Sequence, residues 1–397
     1  MDAASSPAVS HVNLPRLRRE RLGRLRDALA RADVAGGVFF DPINIRYATD
    51  VSNMQVWSLH NAVRYVFVAT QGPVVLFEFS DGEHLAEGMG TVDETRPATS
   101  AAHLMAGDKA DRRHADWASE IAELVQRHGG GNARLAVDHA DWRAAGELAK
   151  HGITPVAGQA IAENARGIKT ADEIQLMRAA IANCEEAVRL LERDCRPGIT
   201  EHELWSILHR ENIASGGEWI ETRLLASGPR TNPWYQECSA REIEAGDLVA
   251  LDTDLIGTMG YCCDISRTWR AGGGRPSPRQ QRTYADAYAH LMRVLESVGP
   301  GVTLAEVAEA IGPRPEGYRA YGCLIHGVGM CDEYPVAYWH DQAGSYDEVL
   351  QPGMTVCVES YLGPENGAEG VKLEEQVLIT EGGVEVLSTL PFYEDWL

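Results

Sequence analysis

Single carboxylates embedded in apolar runs constrain this chain more than any other feature. Val249-Ala250-Leu251 leads into Asp252-Thr253-Asp254-Leu255, and after Gly257-Thr258-Met259-Gly260-Tyr261 comes Cys262-Cys263-Asp264-Ile265-Ser266-Arg267-Thr268. The pattern reads as a strand, a glycine-containing hairpin and a return strand. Asp252 and Asp254 are two apart, so on a strand they face one side, and Asp264 on the return strand can sit opposite. Three carboxylates on one face repel each other unless a cation is present. The bland reading is an acidic hairpin facing solvent, but the apolar flanks point to burial.

Three more segments could complete such a site. Gly322-Cys323-Leu324-Ile325-His326-Gly327-Val328-Gly329 places an imidazole after an apolar run, beside glycines that permit close backbone approach. Gly353-Met354-Thr355-Val356-Cys357-Val358-Glu359 places an acid at the end of a buried-looking strand, and Val371-Lys372-Leu373-Glu374 places another inside one. Individually, each is more often an exposed or satisfied polar residue. Together Asp252, Asp254, Asp264, His326, Glu359 and Glu374 offer five carboxylates and one imidazole. Five negative charges roughly balance two divalent ions. Oxygen donors with one nitrogen suit Mn, Fe, Co or Zn, and two such ions ~3.5–4 Å apart are a common arrangement.

The rest of the chain reads as an ordinary globular α/β protein. There are 36 Lys+Arg against 58 Asp+Glu, a net charge of −22, which disfavours nucleic acid and anionic membrane as partners. No apolar run reaches the ~18 residues of a membrane helix. No apolar signal segment follows the N-terminus, so the expected location is cytoplasmic. The eight cysteines include no CxxC and are expected as reduced thiols. Residues 1–12 read as a loose tail, and 14–33 as a solvated first helix despite their arginines. Strands are expected over 34–40, 63–69, 73–79 and 134–137, giving an N-terminal α/β domain over 1–160. Thr170, with Asp172 and Glu173 behind it, is an expected N-cap opening a long helix to about Glu192, and the second domain spans 161–397. Within it, Pro197-Gly198-Ile199-Thr200-Glu201-His202-Glu203 is echoed 103 residues later by Pro300-Gly301-Val302-Thr303-Leu304-Ala305-Glu306. Each is a Pro-Gly turn followed by a capping box, which suggests two related α/β halves.

From about 161 onward the chain resembles the catalytic domain of the methionine aminopeptidase, prolidase and creatinase superfamily, the pita-bread fold. The resemblance rests on Ile168-Lys169 with Glu173-Ile174, on Gly260-Tyr261-x-x-Asp264-x-x-Arg267-Thr268, on Pro352-Gly353-Met354 before Glu359, and on the Asp, Asp, His, Glu, Glu order. The N-terminal domain, including Asn44-Ile45-Arg46-Tyr47, resembles the smaller domain of creatinase and prolidase. The departures bear on function. The peptidases carry a histidine seven residues after the metal His, where this chain has Glu333. Proline-specific members carry another four residues before it, where Gly322 stands. A third lies upstream of the first Asp, where this chain has Asn232-Pro233-Trp234-Tyr235. Asp264 follows Asp252 by twelve residues and Asp254 by ten, and both are taken as ligands.

This pattern is similar to the dimethylsulfoniopropionate (DMSP) lyases of the DddP type. The matching stretches are Tyr47 to Trp57, Ser227 to Trp234, Asp252 to Gly257 and His326 to Glu333. The resemblance implies a homodimer in which Asp252, Asp254, Asp264, His326, Glu359 and Glu374 hold two divalent transition metals, iron foremost. It also implies that Asp332 is the base in a β-elimination on a small zwitterion. Trp57, Trp234, Tyr235 and Tyr321 are candidates for a wall that tolerates the sulfonium, although isolated aromatics are more often core. Tyr321 is alternatively a hydrogen-bonding partner of the base. The competing readings are a dinuclear-metal Xaa-Pro dipeptidase, a metal-free C–N hydrolase like creatinase, and a non-catalytic binding module.

Overall fold

A computed structural model describes residues 10–342 and 346–397. The expected tail therefore lies, up to residue 9, outside the described residues. The described residues divide into two compact units, one holding residues 13–166 and one holding 10–12 together with 167–397.

In the first unit a mixed six-stranded sheet runs in the order Glu94–Pro97, Val74–Glu78, Tyr65–Ala69, Gly36–Phe39, Arg134–Val137, Thr154–Ala157. The 14–33 segment forms the helix Leu14–Arg31, capped by Asn13 accepting from the Arg16 amide. Leu17, Leu22, Leu25 and Leu29 are its buried leucines. The helix Ala110–His128 recurs in apolar residues at 117, 118, 121, 122, 124 and 125, one stripe of a 3.6-residue period. That stripe packs on Val38, Tyr65, Phe67, Val75 and Phe77 of the sheet.

The second unit opens where a capping box predicts it. Thr170 Oγ1 accepts from the Glu173 amide and Glu173 Oε2 accepts from the Thr170 amide, at 3.2 and 2.8 Å, and the helix Ala171–Asp194 follows. The internal echo is a structural repeat. Thr200 and Thr303 both complete capping boxes, opening the helices Glu201–Ala214 and Leu304–Ile311. The Gly198 amide donates to the Ile243 carbonyl, and Ile243 donates back to Ile199. Likewise Gly301 donates to Leu350, and Leu350 back to Val302. Thr200 bridges Glu242 and Thr303 bridges Val349. Counting on from those bridges, each half passes a left-handed glycine (Gly246 or Gly353) and enters a buried strand that delivers a carboxylate, Asp252 in one and Glu359 in the other.

The second half builds the larger sheet, in the order Asp332–Tyr338, Cys323–Val328, Thr355–Pro364, Val371–Thr380, Gly383–Val386. Thr355–Pro364 and Val371–Thr380 pair antiparallel with Glu359 directly opposite Glu374, so Glu359 is mid-strand rather than at a strand end. The first half departs from the simple hairpin that its sequence suggests. Leu248–Leu251 pairs with Arg267–Arg270, whereas Leu255–Ile256 pairs with Cys262–Cys263 and with Trp219–Ile220. The chain kinks between these strands at Asp252-Thr253-Asp254, and Asp254 takes a left-handed φ of 36°. The kink, not strand alternation, aims the two aspartates.

Candidate metal centre

Five stretches converge on one buried cluster. Asp252 and Asp254 come from the kink, Asp264 from the link between Cys262–Cys263 and Arg267–Arg270, and His326, Glu359 and Glu374 from neighbouring strands of the larger sheet. All six side chains are buried. Donor atoms of Asp252, Asp254 and Asp264 lie within 4.8 Å of one another, and so do those of Asp264, His326, Cys357 and Glu374, which makes Asp264 common to both groups. His326 Nε2 stands 3.0 Å from Glu359 Oε1, 3.6 Å from Asp264 Oδ2 and 3.9 Å from Glu374 Oε1.

Crowded acids must shed charge or take up cations. Burial drives the carboxyls of Asp252 and Asp264 well above the ordinary range; Lys372 opposes the shift at Asp252, Glu374 and Asp254 reinforce both, and Asp252 adds to the rise at Asp264. Burial, with Asp332 next, pushes Asp254 up to about 7. Burial would raise Glu374 too, but the charges of Lys372 and His326 and the Ser266 hydroxyl outweigh it and hold it at about 2. Burial alone would lower His326. The surrounding Asp332, Glu359 and Glu374 instead hold its proton firmly, so a proton and a metal compete for the same nitrogen.

The donor set fits divalent ions. Glu374 Oε1 is buried and has no hydrogen-bond donor among the described residues. Lys372 is fully buried, with Nζ 3.3 Å from Asp252 Oδ2, 2.5 Å from Glu359 Oε2 and 2.8 Å from Glu374 Oε2. Five carboxylates and one ammonium leave four negative charges, which two divalent ions match. For a carboxyl whose folded pKa is raised, the folded state holds the proton more tightly than the unfolded state. That contribution is complete below the ordinary pKa near 4 and is lost as pH climbs through the folded pKa. The chelated protein is therefore expected to lose roughly 5 °C or more in Tm between pH 5 and 8. Metal should restore it, with a lift that grows with pH. A thermal-shift series with and without chelator checks this.

Sequence reasoning missed four neighbours of the cluster. Lys372 is two residues before Glu374 on the same strand, so period-two alternation places it on the same face. Cys357 stands in the same relation to Glu359. Ser266 Oγ lies 2.5 Å from Asp252 Oδ1 and 2.7 Å from Glu374 Oε2. Thr222 donates to Asp254 Oδ2 at 2.5 Å; neither of these two hydroxyls has a sequence signal.

Asp332 begins the strand Asp332–Tyr338, which includes Glu333-Tyr334-Pro335. Its side chain is half exposed, with Oδ1 3.7 Å from His326 Nδ1. Partial loss of hydration raises its carboxyl, His326 opposes, and Glu374 and Glu359 add to the rise. Glu333 points away into a buried pair, 3.5 Å from Lys169 Nζ. The Tyr321 ring centre is 5.0 Å from Lys372 Nζ and 5.5 Å from the ring of Tyr235, whose own side is open. Trp234, expected in the substrate wall, is instead buried and stacked on Tyr361 at 5.6 Å. Trp57 belongs to the 13–166 unit, where it packs on Phe79.

Residues 175–381 match the metallopeptidase family M24. The chain is 43% identical over 389 residues to the dimethylsulfoniopropionate lyase DddP of Roseovarius nubinhibens, covering 96% of this chain and 87% of that protein. It is 41% identical, with the same coverage, to its namesake from Roseobacter denitrificans. In fold it superimposes on the Xaa-Pro dipeptidase from Bacillus anthracis with a TM-score of 0.75 at 23% identity, over 95% of this chain and 99% of that one.

Proposed function

Because this chain belongs to the metallopeptidase family M24, and within it to the relatives of the DMSP lyase DddP, we propose that it cleaves DMSP to dimethyl sulfide and acrylate. The observation that carries the reading is Asp332, an accessible carboxylate 3.7 Å from an imidazole of the metal cluster, where the peptide-handling histidines have given way to Glu333 and Gly322. Glu333 cannot stand in as a proton shuttle for a peptidase, because it is buried and engaged by Lys169 and by the Met330 amide. The second unit is the catalytic one, and Asp252, Asp254, Asp264, His326, Glu359 and Glu374 are the metal ligands, with iron the expected ion.

A divalent metal held there by these six residues would supply Lewis-acid stabilisation of negative charge developing beside the substrate carboxylate. Asp332 takes the proton from the carbon next to that carboxylate. The C–H electron pair becomes the C=C bond of acrylate, and the C–S pair leaves on sulfur. Dimethyl sulfide departs neutral, so no acid is needed at the leaving group. A raised carboxyl pKa makes Asp332 a better proton acceptor. Tyr321 and Tyr235 offer aromatic faces to the sulfonium, worth ~0.5–2 kcal/mol per good contact.

The same proposal includes a cytoplasmic homodimer. Cys184, Cys195, Cys238, Cys262, Cys263, Cys323 and Cys357 are free thiols, in keeping with a reducing compartment, and no described helix is long and apolar enough to cross a membrane. The helix Gln55–His60 and its cap leave Met54, Val56, Trp57 and Leu59 exposed, a surface of the kind a second copy covers. The deciding experiment offers the purified protein DMSP and an Xaa-Pro dipeptide side by side. Acrylate and dimethyl sulfide from the first, with no proline from the second, is expected. Proline release alone overturns the reading.

A further inference from the structure

We propose that Glu333 and Lys169 form a positioning pair that pins the turn before Asp332 and so sets where the base stands. The inference rests on the assignment of Asp332 above. The strands Cys323–Val328 and Asp332–Tyr338 pair out of step: Val328 faces Asp332 and Gly327 faces Glu333, whereas His326 faces Val336. The ladder is thus broken between His326 and Gly327, opposite Tyr334-Pro335, so only two residue pairs, Gly327 with Glu333 and Val328 with Asp332, close the short connection 329–331.

Glu333 pins that connection from below. Its side chain folds back so that Oε1 accepts the Met330 amide at 2.9 Å. It fills the space beside Gly329, where an added Cβ would collide with Oε1. Any other residue at 329 would therefore displace the carboxylate. Lys169 Nζ lies 3.5 Å from Oε2, and both side chains are buried. Lys169 is itself held, its amide donating to the Gly353 carbonyl and its ammonium to the Gly167 carbonyl at 3.4 Å. The turn is also tied to the ligand loop, since the Cys262 amide donates to the Gly329 carbonyl at 2.7 Å. With Glu333 facing inward, strand alternation turns Asp332 outward, to the side where His326 Nδ1 lies.

Removing one partner alone strands a buried charge and endangers folding, whereas an apolar pair of similar volume is tolerated. The test is therefore the double variant Lys169→Met with Glu333→Met, beside Glu333→Gln, which keeps an acceptor for the Met330 amide. Three quantities are read: hydrogen exchange at the Met330 amide, metal content, and kcat and KM for DMSP. The double variant is expected to exchange at Met330 about tenfold faster. It should keep its metal and lose about 10²-fold in kcat with KM little changed, the scale of a misplaced catalytic group. Glu333→Gln, whose amide oxygen still accepts from Met330 but leaves the Lys169 charge unbalanced, is expected to fall between the wild type and the double variant in both protection and kcat. The proposal fails if the double variant loses protection yet keeps kcat, if kcat falls while Met330 stays protected, or if kcat falls only in step with metal. A wild-type protein inert toward DMSP would defeat the functional reading instead, and exchange at Met330 would then decide the pin alone.

Discussion

Asp332→Asn is expected to lower kcat for DMSP by roughly 10²–10⁴-fold, the usual contribution of a positioned general base, while metal content stays at the wild-type level. The amide keeps the size of the side chain and its place at the strand start but cannot accept the proton. Asp332 is not among the six clustered ligands, so losing its charge leaves the cage intact. The pH profile should carry the same signature. Partial loss of hydration, with Glu374 and Glu359 adding to it against His326, holds the Asp332 carboxyl above the ordinary range, and the base works only when ionised. Wild-type activity should therefore rise with pH along a limb displaced above that range, and the limb should vanish in the variant. Rates measured from pH 5 to 9, with metal analysis of both proteins, check both statements.

The second large effect is expected at Asp264. It is the acid common to both donor groups, and its Oδ1 also accepts the Asp254 amide at 3.2 Å, bracing the kink. Asp264→Asn should cost the protein both ions and essentially all lyase activity. Asp252→Asn, which touches one donor group, should weaken binding of one ion more than the other. The folded protein should survive either change, because removing a crowded carboxylate relieves repulsion in the metal-free state. Circular dichroism with metal counting separates loss of ions from loss of fold. An Asp264→Asn protein with a full metal complement would contradict the shared-ligand geometry.

Much of this was legible before the fold was. The capping boxes at Thr170, Thr200 and Thr303 are local devices whose partners lie three residues away, so their sequence pattern suffices. The buried cluster was legible because a lone acid in an apolar strand is costly to bury unless it is paired or bound to a cation. The kink at Asp252-Thr253-Asp254 was not. It arises because Leu248–Leu251 and Leu255–Ile256 join different sheets, and those pairings depend on residues far along the chain. Lys372 carries no metal-donor signal, because an ammonium is not a ligand; only the assembled cluster shows it as the counter-charge. Trp234 lies in a stretch that resembles a functional motif, but its burial against Tyr361 comes from tertiary packing that the motif does not encode. The exposure of Asp332 likewise comes from strand alternation beside the inward-facing Glu333 and not from its apolar neighbours.

The most direct test is to strip the pure protein of metal and return ferrous or manganous ion stepwise, counting bound ions per chain while following acrylate production. Two ions per chain, no turnover in the stripped protein and recovery that tracks refilling is the predicted result. Undiminished acrylate production from protein shown to hold no transition metal would contradict it.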